Sequence, residues 1–519
     1  LNDLSSSAFF ALKTLKKNGY FCGWLSDKLI SMSTLSKLNP SPVWKYFEEI
    51  CKIPRLSKNE ASIRTYLLDF ALKNNLESKE DTAGNILIFR QASPGYQNVR
   101  TVVLQSHMDM VGEKNADYPH NWAKDSIIPV IDNEWVSAKG TTLGADDGIG
   151  IASQLAILTD KNLKAGKIEC LFTVDEESGM TGAINLKNDF FEGRTLLNLD
   201  SEDEGILFIG CAGGMDTVGT FKYRKKAALK DEKGLEISIT GLRGGHSGDE
   251  IHKGFGNSVK LMTRILSDLT NQYDISLSAF NGGNLRNAIP REAFAVITVR
   301  NFLKEQVFKA IENYQIEFDK EFDSLEAQLK VSVKEVDSPD YVMNKTGQAK
   351  LLDSLHCCPH GVIAWSKEME DLVETSTNLA SISFSEKNTV KIVTTQRSSV
   401  ESSKHEVASR VKMCLSIAGA EVVHSDGYPA WTPSLKSEIL RITKKSYQRL
   451  FGKEPAVRAI HAGLECGLIF EKFKGIDMIS FGPTIRGAHT PEEKIEIGTV
   501  QMFWDLLTDV IKNIPSERS

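Results

Sequence analysis

Short, almost unbroken apolar runs, several of them closing on an acid or a histidine, constrain this chain more than any other feature. NILIFR (85–90), TVVLQSH (101–107), IECLFTV (168–174), TLLNLD (195–200) and GIDMISFG (475–482) are of this kind. A strand with one wet face alternates apolar and polar residues; strands this uniformly apolar are covered on both faces. The stretches between them read as helices: PVWKYFEEICKI and SKNEASIRTYLLDFALKNN within 42–75, GIGIASQLAILTD (148–160), SEILRITKKSYQRLF (437–451) and TVQMFWDLLTDVIKNI (499–514). In the second of these, Ser57 and Glu60 stand in capping-box spacing. Strand and helix in alternation predict an α/β fold, a mostly parallel mixed sheet covered by helices.

From about residue 213 the texture changes. LEISITG (235–241) and AFAVITVRNF (293–302) read as strands, with helices around 254–270 and over 304–322. TNLASISFSEKNTVKIVTTQR (377–397) followed by HEVASRVKMCLSIAG has a similar make-up: in each half an Asn precedes a strand that ends near an Arg (Asn287/Arg300, Asn378/Arg397). Either an internal duplication or a chance likeness of two βα units accounts for this. The α/β texture returns near residue 428. The expected organisation is a catalytic domain from 32–212 and 428–519, with 213–427 inserted as an α+β lid. Residues 1–31 differ in composition and read as an extension outside the fold, with Met32 opening the folded part. A chain of 519 residues has room for two domains. Its net charge of −6 gives no electrostatic case for nucleic acid or an anionic membrane. No apolar run reaches the length of a membrane span. Eight scattered cysteines, none in a CxxC pair, read as free thiols in a reducing cytosol.

The loops that follow the apolar runs carry the chemistry. LFTVDEESG (171–179) runs into three adjacent acids, Asp175, Glu176 and Glu177. Like charges this close repel, and burial makes the repulsion worse, so either the turn is solvated or a cation sits among the acids. SHMDMVG places His107 and Asp109 on one face of a strand. TLGADDGIG adds Asp146 and Asp147 before a helix, NLDSEDEG adds Asp200, and GPTIRGAHTPEEKIEI adds His489. Open α/β sheets keep their ligands at such strand ends. Taken singly, Asp146 or Asp147 reads as a helix cap, and Asp175, Glu202, Asp203 and Glu204 read as solvated loop acids. Taken together, two imidazoles and several carboxylates make an inventory for two cations, with Zn²⁺ first and Mn²⁺ or Co²⁺ sharing the same ligands. Glu177 would then bind metal while Glu176 faces a shared water.

The ordered set HxD…GADDG…DEE…LD…H resembles the M20 metallopeptidases, the co-catalytic dizinc family. SHMDMVGEKN, GTTLGADDGIGIA, GGHSGDEI, RNAIP and HAGLECG are most similar to its aminoacyl-histidine dipeptidases, over residue 32 to the C-terminus. The resemblance implies that His107 and Asp200 hold one ion, Glu177 and His489 the other, and Asp146 bridges them. It implies that Asp109 orients His107, that Glu176 is the general base and later acid, and that the Asp146–Asp147 peptide bond is cis. It assigns His246 to the oxyanion and Asn287 to substrate contact. Arg300 or Arg397 would hold the substrate's terminal carboxylate, and His461 and Glu465 would line the amine end. A dipeptide substrate of the Xaa-His kind, a cytoplasmic location and a homodimer follow from the same likeness. A related aminoacylase acting on N-acyl amino acids would share the metal core. A relative reduced to metal binding would be expected to lack an acid at position 176. No GxSxG elbow or cysteine nucleophile motif offers a different chemistry.

Overall fold

The computed structural model describes residues 35–517, so the 1–31 extension lies outside the described residues. These residues form two compact units, 35–182 with 199–204 and 481–517, and 183–198 with 205–480.

In the first unit, strands Ser78–Glu80, Ile86–Arg90, Ile168–Thr173 and Val102–His107 lie side by side in that order. The last two are parallel, with His107 opposite Thr173. Every residue of both is buried, which is why neither shows polar alternation. Helix Ala145–Thr159 is buried from Asp147 to Leu158. Helix Ser41–Ile50 packs on it and turns Val43, Trp44, Phe47 and Ile50 inward. Each such side chain contributes about 1.5–3 kcal/mol on burial. A small antiparallel sheet orders Ile485–Arg486, Lys494–Glu496, Trp135–Ala138 and Pro129–Asp132. It ties the C-terminal segment into the unit and so fixes the loop between its first two strands.

The capping box does not form. The helix begins at Ala61, and its cap residue Glu60 makes no side-chain cap bond. Ser57 Oγ instead donates to Asp109 Oδ2 at 2.8 Å, while Glu60 Oε1 accepts from Lys58 N–H at 2.8 Å and also from the distant Asp175 N–H at 3.1 Å. Spacing alone does not reveal that a longer-range partner takes Ser57 from the local cap.

In the second unit, Thr195–Asn198, Asp477–Ser480, Ile206–Cys211 and Ala456–Ile460 run in that order, parallel in the first and last pairs. Residues 428–480 therefore group with this unit, because two of their strands pair here. A nine-stranded antiparallel sheet is built from residues 213–424. Glu232–Thr240 and Ala293–Arg300 alternate buried and open positions, as one-faced strands do. Their inner side chains pack with helices Ser258–Tyr273, Lys304–Phe322, Lys345–Cys357 and Glu401–Ile417 in one core. The fold is α/β, as the apolar runs require, with parallel pairs in both α/β layers and an antiparallel edge formed by Ser78–Glu80 and Ile86–Arg90. Among the described residues no helix is long and apolar enough to cross a membrane.

Candidate metal centre

His107 ends its strand, and Met108 N–H continues the pairing to Thr173 O at 2.7 Å. The chain opposite turns sharply after Thr173: Asp175 takes a left-handed φ of 53°, and Glu176 and Glu177 open a single helical turn. Asp200 follows Leu199, whose N–H bonds Gln105 O at 2.9 Å. Asp146 and Asp147 depart from helical geometry at the head of their helix, with a cis peptide bond between them. Asp147 Oδ1 accepts from Gly150 N–H at 3.1 Å and so caps the regular part of the helix. A methyl group at position 150 would fall 2.2 Å from that oxygen, so any side chain there would displace the capping carboxylate. The cap and ligand readings are thus divided: Asp147 caps, and Asp146 is left free to point away.

Asp146 turns one oxygen to each imidazole. Oδ1 lies 3.1 Å from His107 Nε2, and Oδ2 lies 3.2 Å from His489 Nε2. His107 Nε2 is also 3.3 Å from Asp200 Oδ1, and His489 Nε2 is 2.9 Å from Glu177 Oε2. Ligands about 2.0 Å from a tetrahedral ion stand about 3.3 Å apart, so these separations suit two ions sharing one carboxylate. His107, Asp146 and Glu177 converge within 4.8 Å, and so do His107, Asp147 and Asp200.

The electrostatics point the same way. Burial opposes the charge on Asp146, yet hydrogen bonds from His107 and His489 hold its carboxyl well below the ordinary range. Burial, then the neighbouring negative charges, pushes Asp200 up to about 7 and Glu202 up to about 8. Asp147 is raised by burial and by Asp200. His489 is raised to about 11 by its bonds to Asp146 and Glu177. Burial works against a charged His107, but Asp200 and the bonds to Asp109 and Asp146 outweigh it. Asp146, Asp147, Glu177, Asp200 and Glu202 outnumber the two imidazoles, so the cluster calls for added positive charge. Borderline nitrogen and hard oxygen donors fit a divalent ion such as Zn²⁺.

Asp109, fully buried, braces this cluster. Its Oδ1 accepts from Glu176 N–H at 3.0 Å and stands 3.5 Å from His107 Nδ1. Its Oδ2 accepts from Glu177 N–H at 3.2 Å. One carboxylate thus holds the Glu176–Glu177 turn and faces the imidazole. Two further buried residues, Arg55 and Glu493, grip the loop before Asp146 through its backbone. Neither was legible in advance: Arg55 is a single cation after a proline, and Glu493 is one of an acidic pair.

In the second unit, His246, Arg397 and His461 gather around Asp249. Asp249 Oδ2 is 3.3 Å from His246 Nδ1, and the charges of Arg397 and His461 act on it. His461, nearly buried, bonds Ser376 Oγ through Nε2 at 2.7 Å. Buried Arg397 donates to Tyr428 Oη at 2.6 Å. Asn287 is exposed, and its carbonyl accepts from Ser247 N–H at 2.8 Å. Glu465 is fully buried at the start of helix Glu465–Lys472. Arg300 stands outside this group, exposed and ion-paired to Asp231. Ser376 and Tyr428 carry no motif signal of their own, and Asp249, though it lies inside GGHSGDEI, has no role that the motif assigns.

The model of peptidase family M20/M25/M40 matches residues 103–513. The cytosol non-specific dipeptidase of Escherichia coli K12 is 40% identical over 94% of this chain and 100% of its own length. The crystal structure of an aminoacylhistidine dipeptidase from Vibrio alginolyticus superposes with a TM-score of 0.87 at 41% identity, covering 94% of this chain and 99% of that one. A tripeptidase structure from Staphylococcus aureus, at 16% identity and a TM-score of 0.54, shares the fold.

Proposed function

This chain belongs to peptidase family M20/M25/M40, and on that premise we propose that it hydrolyses dipeptides in a metal-dependent reaction, with histidine preferred in the second position. The observation that carries the reading is Asp146, with one oxygen toward His107 and the other toward His489. His107 and Asp200 would hold one ion, Glu177 and His489 the second, with Asp146 shared. Bound divalent ions supply Lewis acidity, which polarises a carbonyl and acidifies water.

The chain's own groups do the rest. Glu176, next to a ligand but not one itself, takes the proton of the attacking water and passes it to the departing amine. Asp109 keeps His107 in the tautomer that leaves Nε2 free toward the ions. His246 donates to the developing oxyanion. Buried Arg397, with its planar fork, takes the terminal carboxylate, while Asn287, His461 and Glu465 contact the rest of the substrate. Arg300, tied to Asp231 at the surface, is left without a substrate role. The names of the two close relatives support a dipeptidase over an aminoacylase. We place the protein in the cytosol as a homodimer.

The test is a panel of Xaa-His dipeptides, other dipeptides and N-acetyl amino acids, run with added Zn²⁺ and again with a chelator. Turnover of Xaa-His dipeptides that the chelator abolishes is expected. Preference for the N-acetyl substrates would replace this reading with the aminoacylase.

A further inference from the structure

We propose that Glu493 and Arg55 form a two-sided backbone clamp that positions Asp146 between His107 and His489, and so sets how tightly the paired ions are held. They are positioning residues, not ligands, and the inference rests on the metal reading above.

Glu493 is 2% exposed and spends its whole carboxylate on one loop. Oε2 accepts from Leu143 N–H at 2.7 Å and Gly144 N–H at 2.8 Å; Oε1 accepts from Ala145 N–H at 2.7 Å and Asp146 N–H at 3.3 Å. Arg55, 3% exposed, works from the carbonyl side. Nη1 donates to Met108 O at 3.0 Å and Asp109 O at 2.6 Å, and Nη2 donates to Gly144 O. Gly144 has φ +68°, and a methyl there would lie 2.6 Å from Arg55 Nη2, so the loop is shaped around the guanidinium.

Capping does not explain this arrangement, because Asp147 already caps the helix. Burying two full charges is costly unless each is hydrogen-bonded throughout. Here both are bonded to backbone that carries ligands. Arg55 joins the end of the His107 strand to the Asp146 loop. Glu493, four residues after His489, joins the His489 loop to the Asp146 loop. Three ligand-bearing segments are thereby held in register by two side chains, and the shared carboxylate sits where they meet. Second-layer partners of this kind typically control metal affinity.

Glu493→Gln is the sharpest probe. The amide keeps the shape but turns an NH₂ toward two N–H groups, so one side of the clamp opens. Zn²⁺ titration calorimetry on the full chain is expected to show uptake weaker by about 10–100-fold in the variant. Co²⁺-loaded wild type should give the spectrum of an exchange-coupled pair, and the variant that of uncoupled ions. Arg55→Lys retains the buried charge but not the fork, and is expected to shift both readouts in the same direction, which covers a Gln variant that fails to fold. Folded variants with wild-type affinity and an intact coupled spectrum overturn the proposal. A wild-type chain that takes up no pair of ions fails separately: it removes the metal reading, and the clamp with it.

Discussion

Asp109→Asn is the perturbation whose cost can be worked most fully. The carboxylate has four neighbours: Ser57 Oγ at 2.8 Å, Glu176 N–H at 3.0 Å, Glu177 N–H at 3.2 Å and His107 Nδ1 at 3.5 Å. The amide oxygen serves Glu176 if the new NH₂ takes the place of Oδ2. Ser57 can then rotate and accept, but Glu177 N–H faces a donor and loses its partner. A buried unsatisfied donor costs about 1–3 kcal/mol. In an opening equilibrium that is roughly 5- to 150-fold, read directly as faster amide hydrogen exchange at Glu177. The same turn carries the proposed ligand Glu177 and the proposed base Glu176, and the charge facing His107 is gone. Zn²⁺ affinity is therefore expected to fall by about 10–100-fold, with kcat falling alongside it. Exchange at Glu177, Zn²⁺ titration and kcat measured on one preparation test the chain of reasoning. Wild-type values for all three in Asp109→Asn would refute it.

Glu176→Gln should leave the zinc content unchanged while kcat falls by about 10²–10⁴-fold; an active, metal-loaded variant would remove Glu176 as the base. Arg397→Lys loses the planar fork, so KM for a dipeptide should rise roughly tenfold or more while KM for the same dipeptide amidated at its C-terminus stays put. Burial, aided by the Arg397 charge, holds His461 down at about 3. Its folded pKa lies below the ordinary imidazole value of about 6.5, so the unfolded chain takes the proton first and stability drops as pH falls from about 6.5 toward 3. Denaturant midpoints of the wild type should decline over that window, and those of His461→Gln should decline less.

The apolar runs made the fold readable because doubly covered strands leave no room for polar alternation. Asp146, Glu177, Asp200 and His107 were readable for a related reason: each follows or precedes an element whose end is fixed by that burial, whereas His489 lies in the loop between two short, partly exposed strands, Ile485–Arg486 and Lys494–Glu496. The partners that hold them were not. Ser57 and Glu60 matched a local cap, and spacing does not show that Asp109 claims Ser57, or that Glu60 adds the Asp175 turn to its bond from Lys58 N–H. Arg55 and Glu493 bind only backbone, so no pairing of side-chain types betrays them. Arg300 and Arg397 end similar strands; only burial separates the surface ion pair from the enclosed guanidinium. The grouping of 428–480 turned on which strand pairs with which, and that is a matter of long-range register rather than local sequence.

Anomalous diffraction from crystals of the Zn²⁺-loaded protein bears most directly on the shared carboxylate. Two zinc peaks flanking Asp146 are expected, one beside His107 and Asp200, the other beside Glu177 and His489. A single peak, or a pair placed away from Asp146, would contradict the dinuclear account.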